Sequence, residues 1–299
     1  MNQPQTPPPS GLPQAIGAYL LWGLLPLYLM LVHHVPAFEF VGWRVVWTFP
    51  VCLLIVALRK QWPDVRRALG NPRVLGLLTV SALLIGGNWL VYIAAIQAGH
   101  VFAASLGYYI NPLVNVLAGT LFLGEKLTPR QWVAVALAAA GVSLLAWGAH
   151  EMLGISLVLA MSFAAYGLVR KFVPVGSLPG LTIETLVLLL PAIGLLAWQA
   201  GEPGGVSLGQ GVASDLLIAC SGVVTAVPLL LFAVAARRMD YSTLGFVQFL
   251  APTLVFLVGL YVFREPLRPV QLLCFVAIWI SIAIFSWDLW SRRKARASL

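Results

Sequence analysis

Charged residues are scarce in this sequence. Only 9% of the 299 residues are Asp, Glu, Lys or Arg, whereas 60% are hydrophobic and the mean hydropathy is +0.92. A soluble domain needs polar cover on its surface, so this composition excludes one. The apolar residues form runs of roughly 20 rather than alternating segments of about ten, which excludes a β-barrel and predicts membrane-spanning helices.

Residues typical of enzymes and metal sites are also few. The three cysteines (Cys52, Cys220 and Cys274) lie inside apolar runs without metal-ligand spacing, as small apolar helix residues do. The four histidines lie in connecting segments, and no HExxH, GxSxG or phosphate-binding glycine loop occurs. We therefore predict no catalytic site, no metal and no cofactor.

The apolar runs predict an all-α integral membrane protein of ten spans. The predicted spans are 12–31, 38–58, 74–97, 101–123, 130–147, 152–170, 180–199, 212–236, 241–263 and 269–287. Short loops between them predict one compact bundle of antiparallel neighbours. The Pro-rich residues 1–11 lack the basic start and cleavage site of a secretory signal, so we expect a disordered cytoplasmic tail.

Most of the 18 Lys and Arg residues fall in loops on one side of the predicted bundle. These are Arg59, Lys60, Arg66, Arg67, Arg73, Lys126, Arg130, Arg170, Lys171, Arg237, Arg238, Arg292, Arg293, Lys294 and Arg296. Only Arg264 and Arg268 fall on the other side. The net charge of +8 therefore indicates membrane topology rather than nucleic-acid binding, with both termini in the cytoplasm.

One stretch appears twice. The segment from Ser105 to Trp147 resembles the segment from Thr243 to Trp287, and both contain an E-x-L-x-P-x-Q turn, at Glu125 and at Glu265. Five spans per copy place the second copy upside down, which predicts an inverted repeat of two halves, 12–148 and 149–288, before a basic tail, 289–299. Chance similarity between apolar helices is the alternative interpretation.

Span four and span nine carry polar groups beside proline. Asn111 and Asn115 share a helix face, Tyr108 lies near it, and Gln248 takes the matching place in span nine. The prolines that follow, Pro112 and Pro252, free a backbone carbonyl, which is tolerated only where the helix faces protein or water. We predict that the four polar residues line a solute cavity and that the prolines act as hinges. An interhelical hydrogen bond without any ligand is the alternative for the asparagines.

Span three carries a second candidate group. The paired glycines Gly86 and Gly87 predict close approach of a neighbour or a ligand and form a hinge, together with Pro228 in span eight. Asn88 and Tyr92 share a face at i, i+4, and Trp89 either stacks on a flat solute or fills space. We include Asn88, Trp89 and Tyr92 in the predicted substrate site.

Three ionisable residues lie within or beside spans, which makes them functional candidates. Arg44 is predicted to contact an anionic or carboxylate-bearing solute, or else to lock helices by bonding carbonyls. Glu39 and Glu184 begin corresponding helices of the two halves and are predicted to serve as gates or to carry a coupling proton. Helix capping by these carboxylates is the alternative.

Three segments together resemble a known family. They are GAYLLWGLLPLYLMLVHHVPAFEFVGWRVVW near the start, NWLVYIAAIQAGHVFAASLGYYINPLVN, and the turn LGEKLTPRQW. They are similar to the RarD-type permeases of the EamA branch of the drug/metabolite transporter superfamily, over nearly the whole chain after the Pro-rich tail. The resemblance implies ten helices in a five-plus-five inverted repeat and export of small solutes through a central cavity. It associates the chain with chloramphenicol sensitivity and with exporters of amino acids.

These observations together predict a secondary active transporter of small metabolites, amino acids or drugs, acting by alternating access in the bacterial inner membrane. The expected partners are a small-molecule substrate, the lipid bilayer and a proton as candidate coupling ion, with a monomer as the expected state. A passive facilitator or pore is the rival prediction. Trans-stimulation by unlabelled solute separates the two, because an open pore does not show it.

Overall fold

A computed structural model describes residues 11–98, 100–147, 153–202, 204–264 and 266–297. Those residues form helices and turns, with no strand among them. The helices in chain order are α1 (Leu12–Gly23), α2 (Leu25–Leu31), α3 (Ala37–Leu58), α4 (Trp62–Leu69), α5 (Pro72–Gln97), α6 (Val101–Leu123), α7 (Pro129–Trp147), α8 (Leu153–Phe172), α9 (Ser177–Gly201), α10 (Val212–Arg238), α11 (Tyr241–Gln248), α12 (Leu250–Tyr261) and α13 (Pro269–Ala297).

Ten helical segments in the described chain are long and apolar enough to cross a membrane, which confirms the predicted fold class. In two of them a pair of helices forms one span: α1 with α2, and α11 with α12. The short helix α4 lies in the loop after the second span and was not predicted. Since ten is an even number, the two ends of the described chain lie on one side of the bundle, called the termini side below.

The outer surface of the bundle is apolar. Large side chains such as Leu58, Leu121, Leu190 and Trp147 are among its most exposed residues. In water such a surface would be costly, whereas in a bilayer it contacts lipid tails. The exposed apolar surface therefore agrees with the hydrophobic composition of the sequence, and the chain is a multi-pass integral membrane protein.

The two broken spans both contain a proline just after the break. The first span is interrupted at Leu24, two residues before Pro26, and the ninth at Phe249, three residues before Pro252. A proline removes one backbone donor and its ring crowds the carbonyl one turn earlier, so the helix breaks there. By contrast α6 and α10 run unbroken through Pro112 and Pro228. The hinge role of these prolines stays a prediction.

At the bundle edge α7 packs mainly against α13, with α6 as its other neighbour. Its small residues Ala134, Ala138 and Gly141 are buried, and a Cβ added at Gly141 would lie 2.9 Å from the Ala277 Cβ. Small side chains let two helices approach closely where no hydrophobic effect drives them together. Helix α7 therefore serves as a packing helix.

The repeat itself remains a prediction, as do the two five-span halves. Glu265, the second copy's counterpart of Glu125, lies outside the described residues. So do residues 1–10, most of the predicted N-terminal tail, and residues 148–152, where the predicted halves meet. The end of the predicted basic tail, residues 298–299, is also outside.

Candidate functional site

Arg44 lies inside the bundle on α3. It is seven residues from the start of α3, or about 10 Å along the helix axis. Its Nε donates a hydrogen bond of 3.0 Å to the hydroxyl of Thr225 on α10. Its guanidinium carbon lies 4.8 Å from the ring centre of Trp89 on α5, and this cation–π contact fixes the plane of the group. The guanidinium of Arg44 is thus held between α3, α5 and α10. Thr225, its hydrogen-bond partner, was not among the predicted site residues.

Three tyrosines, Tyr28, Tyr92 and Tyr108, lie near enough to Arg44 to interact with its charge. The rings of Tyr92 on α5 and Tyr108 on α6 meet edge to face, with centroids 5.7 Å apart. Tyr108 is 46% exposed, so one face of this pair is open. The Tyr28 hydroxyl donates to the carbonyl of Leu217 at 2.6 Å. Arg44, Trp89, Tyr92 and Tyr108 form what is called the arginine site below, and all four were predicted as substrate contacts.

The predicted amide residues form a separate, buried cluster. Asn115 donates to the Gln248 side-chain oxygen at 2.6 Å and to that of Asn111 at 3.3 Å, and Gln248 in turn donates to Asn111. Asn111 also donates to the carbonyl of Ala160 on α8, and Tyr19 on α1 donates to Gln248. These contacts join α6, α8, α11 and α1 at the centre of the bundle. Asn111, Asn115 and Gln248 are called the amide cluster below, and their side chains form hydrogen bonds mainly with one another.

Asn88 belongs to neither group. Its side-chain nitrogen donates to the carbonyl of Leu159 at 2.9 Å and to the hydroxyl of Ser162 at 2.8 Å, both on α8. It therefore ties α5 to α8. The adjacent glycines differ: a Cβ at Gly86 would lie 2.8 Å from Leu188 Cδ2 on α9, whereas one at Gly87 would meet nothing within 4 Å.

Glu39 accepts hydrogen bonds from the loop between α9 and α10 and forms no ion pair among the described residues. It is fully buried near the start of α3, where Ser207 donates to both of its oxygens, from the backbone N–H at 2.6 Å and from the hydroxyl at 2.9 Å. The Trp43 indole donates to it at 2.8 Å. Ser207 lies in the connection between α9 and α10, so Glu39 ties that connection to α3 on the side opposite the termini.

Glu184 is paired with an arginine that the sequence assigned to a loop. Arg170 lies buried near the end of α8, and its Nη1 is 3.5 Å from Glu184 Oε1 on α9. Ser81 on α5 donates to the same carboxylate oxygen, and Arg170 Nη2 donates to the Ser177 carbonyl at 2.9 Å. The sequence counted Arg170 among the cations at the cytoplasmic end of span six, whereas the structure shows it buried in an ion pair. Gly180 makes room for it, since a Cβ there would lie 2.1 Å from Arg170 Nη1.

The termini side is closed by two further contacts between distant segments. Glu125 follows α6, and its oxygens accept from the backbone N–H groups of Tyr241 at 2.6 Å and Ser242 at 2.8 Å, at the start of α11. A carboxylate at a helix N-terminus satisfies free donors and the helix dipole. Lys171 donates to the carbonyls of Ala236 and Met239 at the end of α10.

The opposite side holds a recess of about 480 Å³. It lies among α2, α6, α12 and the start of α13, and is mostly apolar. Its lining includes Pro26, Ser105, Tyr109, Val255, Phe256, Gly259, Arg268 and Gln271. Both broken spans contribute to it beyond their breaks. On the termini side, Phe246 of α11 stacks on Phe285 of α13, with ring centroids 3.8 Å apart.

Known proteins resemble this chain over nearly its whole length. The profile of the EamA-like transporter family matches residues 9–147. Protein RarD of Salmonella typhi is 42% identical over 282 residues, which cover 94% of this chain and 96% of that protein. The uncharacterized transporter PA0485 of Pseudomonas aeruginosa is 43% identical over 276 residues, covering 91% and 92%.

A solved crystal structure supports the fold independently. It superposes with a TM-score of 0.70 over 92% of this chain and 96% of that one, at 20% identity. Similarity at this identity concerns the arrangement of helices alone.

Proposed function

Because this chain belongs to the EamA-like transporter family as a RarD-type permease, we propose that it is a secondary active carrier that exports small solutes by alternating access. The observation that carries the proposal is the difference between the two sides of the bundle. Contacts of Glu125, Lys171 and Arg170 join distant helices on the termini side. On the opposite side Glu39 also joins two segments, but a recess opens there among α2, α6 and α12. A carrier needs this asymmetry, and a continuous pore does not.

The termini side is cytoplasmic in this proposal, and the membrane is the bacterial inner membrane. Most Lys and Arg residues belong to loops and helix ends of the termini side, and the positive-inside rule places such loops in the cytoplasm. The structure described above then faces outward, with its recess toward the periplasm.

Two inverted halves supply the motion in this proposal. The packing of the helices supports it. The first span of the first half, α1, packs on the fourth span of the second half, α11 and α12, and the first span of the second half, α8, packs on the fourth span of the first half, α6. Both spans of the first pair are interrupted, whereas α6 and α8 are each one continuous helix. If the two pairs exchanged these conformations, the recess would close and the termini side would open.

The arginine site and the amide cluster take different roles in this proposal. Arg44, Trp89, Tyr92 and Tyr108 contact solute, because Arg44 keeps free donors and Tyr108 is exposed. Asn111, Asn115 and Gln248 lie at the crossing of α6 and α11, where their mutual bonds must rearrange if the two halves move. They meet solute only after that rearrangement. Asn88 steadies α5 beside the site.

Counterflow tests the carrier proposal directly. The purified chain is reconstituted into liposomes preloaded with a solute that raises its thermal stability, and uptake of the labelled solute is followed. A carrier shows faster uptake with unlabelled solute inside. Uptake that is independent of internal solute supports a passive facilitator or pore and rejects alternating access.

A further inference from the structure

We propose that the arginine site takes an organic oxyanion that carries a flat apolar group and no cationic group, such as an aromatic monocarboxylate. This inference rests on the proposed carrier function, because it names the solute class of the same site. Zwitterions of the α-amino acid type are excluded by it. Three observations carry the inference: the unused donors of Arg44, the lack of an acidic partner and the aromatic wall.

The first observation concerns the hydrogen bonds of Arg44. A guanidinium has five N–H donors, and here Nε alone is bonded, to Thr225. No hydrogen bond joins the four donors on the two Nη atoms to a group whose position the structure describes, and Arg44 is only partly buried. Two parallel N–H groups match the two oxygens of a carboxylate. The free fork of Arg44 therefore predicts a bidentate oxyanion.

The second observation concerns charge. Among the described residues no carboxylate lies within 4 Å of the Arg44 guanidinium. The acid nearest to it along α3 is Glu39, whose two oxygens already accept bonds from Ser207 and Trp43. A cation inside a membrane protein without a partner is costly, and an anionic ligand offsets that cost. An ammonium group on the solute would meet a like charge and no free acid.

The third observation concerns shape. Trp89 occupies one face of the guanidinium, and the edge-to-face pair of Tyr92 and Tyr108 stands beside it with one exposed ring. Aromatic rings favour offset or edge contacts with another flat ring. The site thus combines the anion-binding guanidinium of Arg44 with an apolar surface formed by aromatic rings.

Binding of four probes that share a phenyl ring tests this inference. Phenylacetate is an anion, phenylalanine a zwitterion, phenethylamine a cation and 2-phenylethanol neutral. Their dissociation constants are measured calorimetrically on the full chain in lipid nanodiscs. We expect phenylacetate to bind at least about tenfold more tightly than each of the others, as one charge-assisted bidentate contact implies.

Variants then locate the binding. Arg44→Lys keeps the charge but loses the fork, so phenylacetate should bind about tenfold more weakly, and Arg44→Gln should bind it more weakly still. Arg59→Gln, at the exposed end of the same helix, should leave it unchanged. Elution as a single folded species is checked for every variant.

Three results would overturn the inference: no binding of phenylacetate to the folded parent chain, equal or tighter binding of phenylalanine or phenethylamine, or unchanged binding in folded Arg44→Gln. None of these results bears on the carrier proposal, because reciprocal cysteine labelling of the two sides of the bundle tests that proposal without a ligand. Reciprocal labelling with failed phenylacetate binding would reject the solute class alone.

Discussion

Arg170 and Glu184 form an ion pair across 3.5 Å with both side chains only 1% exposed. The pair joins the end of α8 to α9, and Ser81 of α5 bonds to it. Its hydrogen bonding is incomplete, since Arg170 Nε and Glu184 Oε2 have no bonded partner among the described residues. A partly satisfied buried network is costly, which is consistent with a contact that changes partners during a transport cycle.

Breaking one side of this pair should destabilise the chain. Arg170→Met or Glu184→Leu alone leaves a buried charge unpaired, and we expect each to lower the free energy of unfolding by about 3–5 kcal/mol. The double variant removes both charges and should recover most of the loss. Thermal unfolding in detergent measures all three.

The matched control is the exposed pair Arg67–Asp64 on α4, where Arg67 is 78% exposed. Arg67→Gln should cost less than about 1 kcal/mol, since solvent screens such pairs. If the two single variants at the buried pair are no worse than this control, the ion pair contributes nothing to stability.

Helix α10 depends on a glycine for its contact with α3. A Cβ at Gly222 would lie 2.3 Å from the backbone oxygen of Trp47, and backbone cannot move aside as a side chain can. Gly222→Ala should therefore destabilise the chain by about 1–3 kcal/mol through overpacking. Gly194→Ala on α9, where nothing lies within 4 Å, should be neutral or stabilising by up to about 1 kcal/mol. Equal melting temperatures for both variants would contradict the close α3–α10 crossing.

The amide cluster should be required for transport. Asn111→Leu leaves the Ala160 carbonyl and the amides of Asn115 and Gln248 without a shared partner, at a cost of about 1–3 kcal/mol. We expect transport to be abolished while the protein remains in the membrane. Gln210→Leu, in the exposed loop before α10, serves as the control and should transport normally. Full activity in Asn111→Leu removes this residue from the transport pathway.

Carboxylate-based proton coupling makes a prediction about pH. If Glu39 or Glu184 carries the coupling proton, then Glu39→Gln or Glu184→Gln should weaken the pH dependence of transport, because a Gln side chain cannot titrate. Initial uptake rates across a pH series in liposomes measure this. Unchanged pH dependence in both variants would reject coupling through these carboxylates.

The ten spans could be predicted from the sequence because each is a continuous apolar run, which depends on local composition alone. The shared face of Asn111 and Asn115 followed from helical spacing, and the structure confirms it with a direct bond. Proline indicated the break before Pro252, but the same signal at Pro112 did not distinguish a break from the continuous helix that α6 forms there.

Contacts between distant segments could not be predicted. Arg170 resembles a loop cation in the sequence, and only the fold brings it beside Glu184 and Gly180. Likewise nothing near Arg44 in the sequence points to Thr225, 181 residues away. The residues of the candidate site remain a prediction from the sequence, and their division into an arginine site and an amide cluster required coordinates.

The central claim is that one side of the bundle opens as the other closes, and reciprocal cysteine labelling in sealed vesicles tests it most directly. With Cys52, Cys220 and Cys274 replaced by alanine, Ser105→Cys reports on the recess and Val116→Cys on the packed termini half of α6. We predict that an impermeant maleimide labels Ser105→Cys from the opposite side and spares Val116→Cys. Each cysteine variant is then combined with Glu125→Gln and Lys171→Gln, which remove two contacts of the termini side. The combination should slow labelling of Ser105→Cys and allow labelling of Val116→Cys from the termini side. Simultaneous labelling of both positions, or faster labelling of both in the loosened variants, would contradict alternating access.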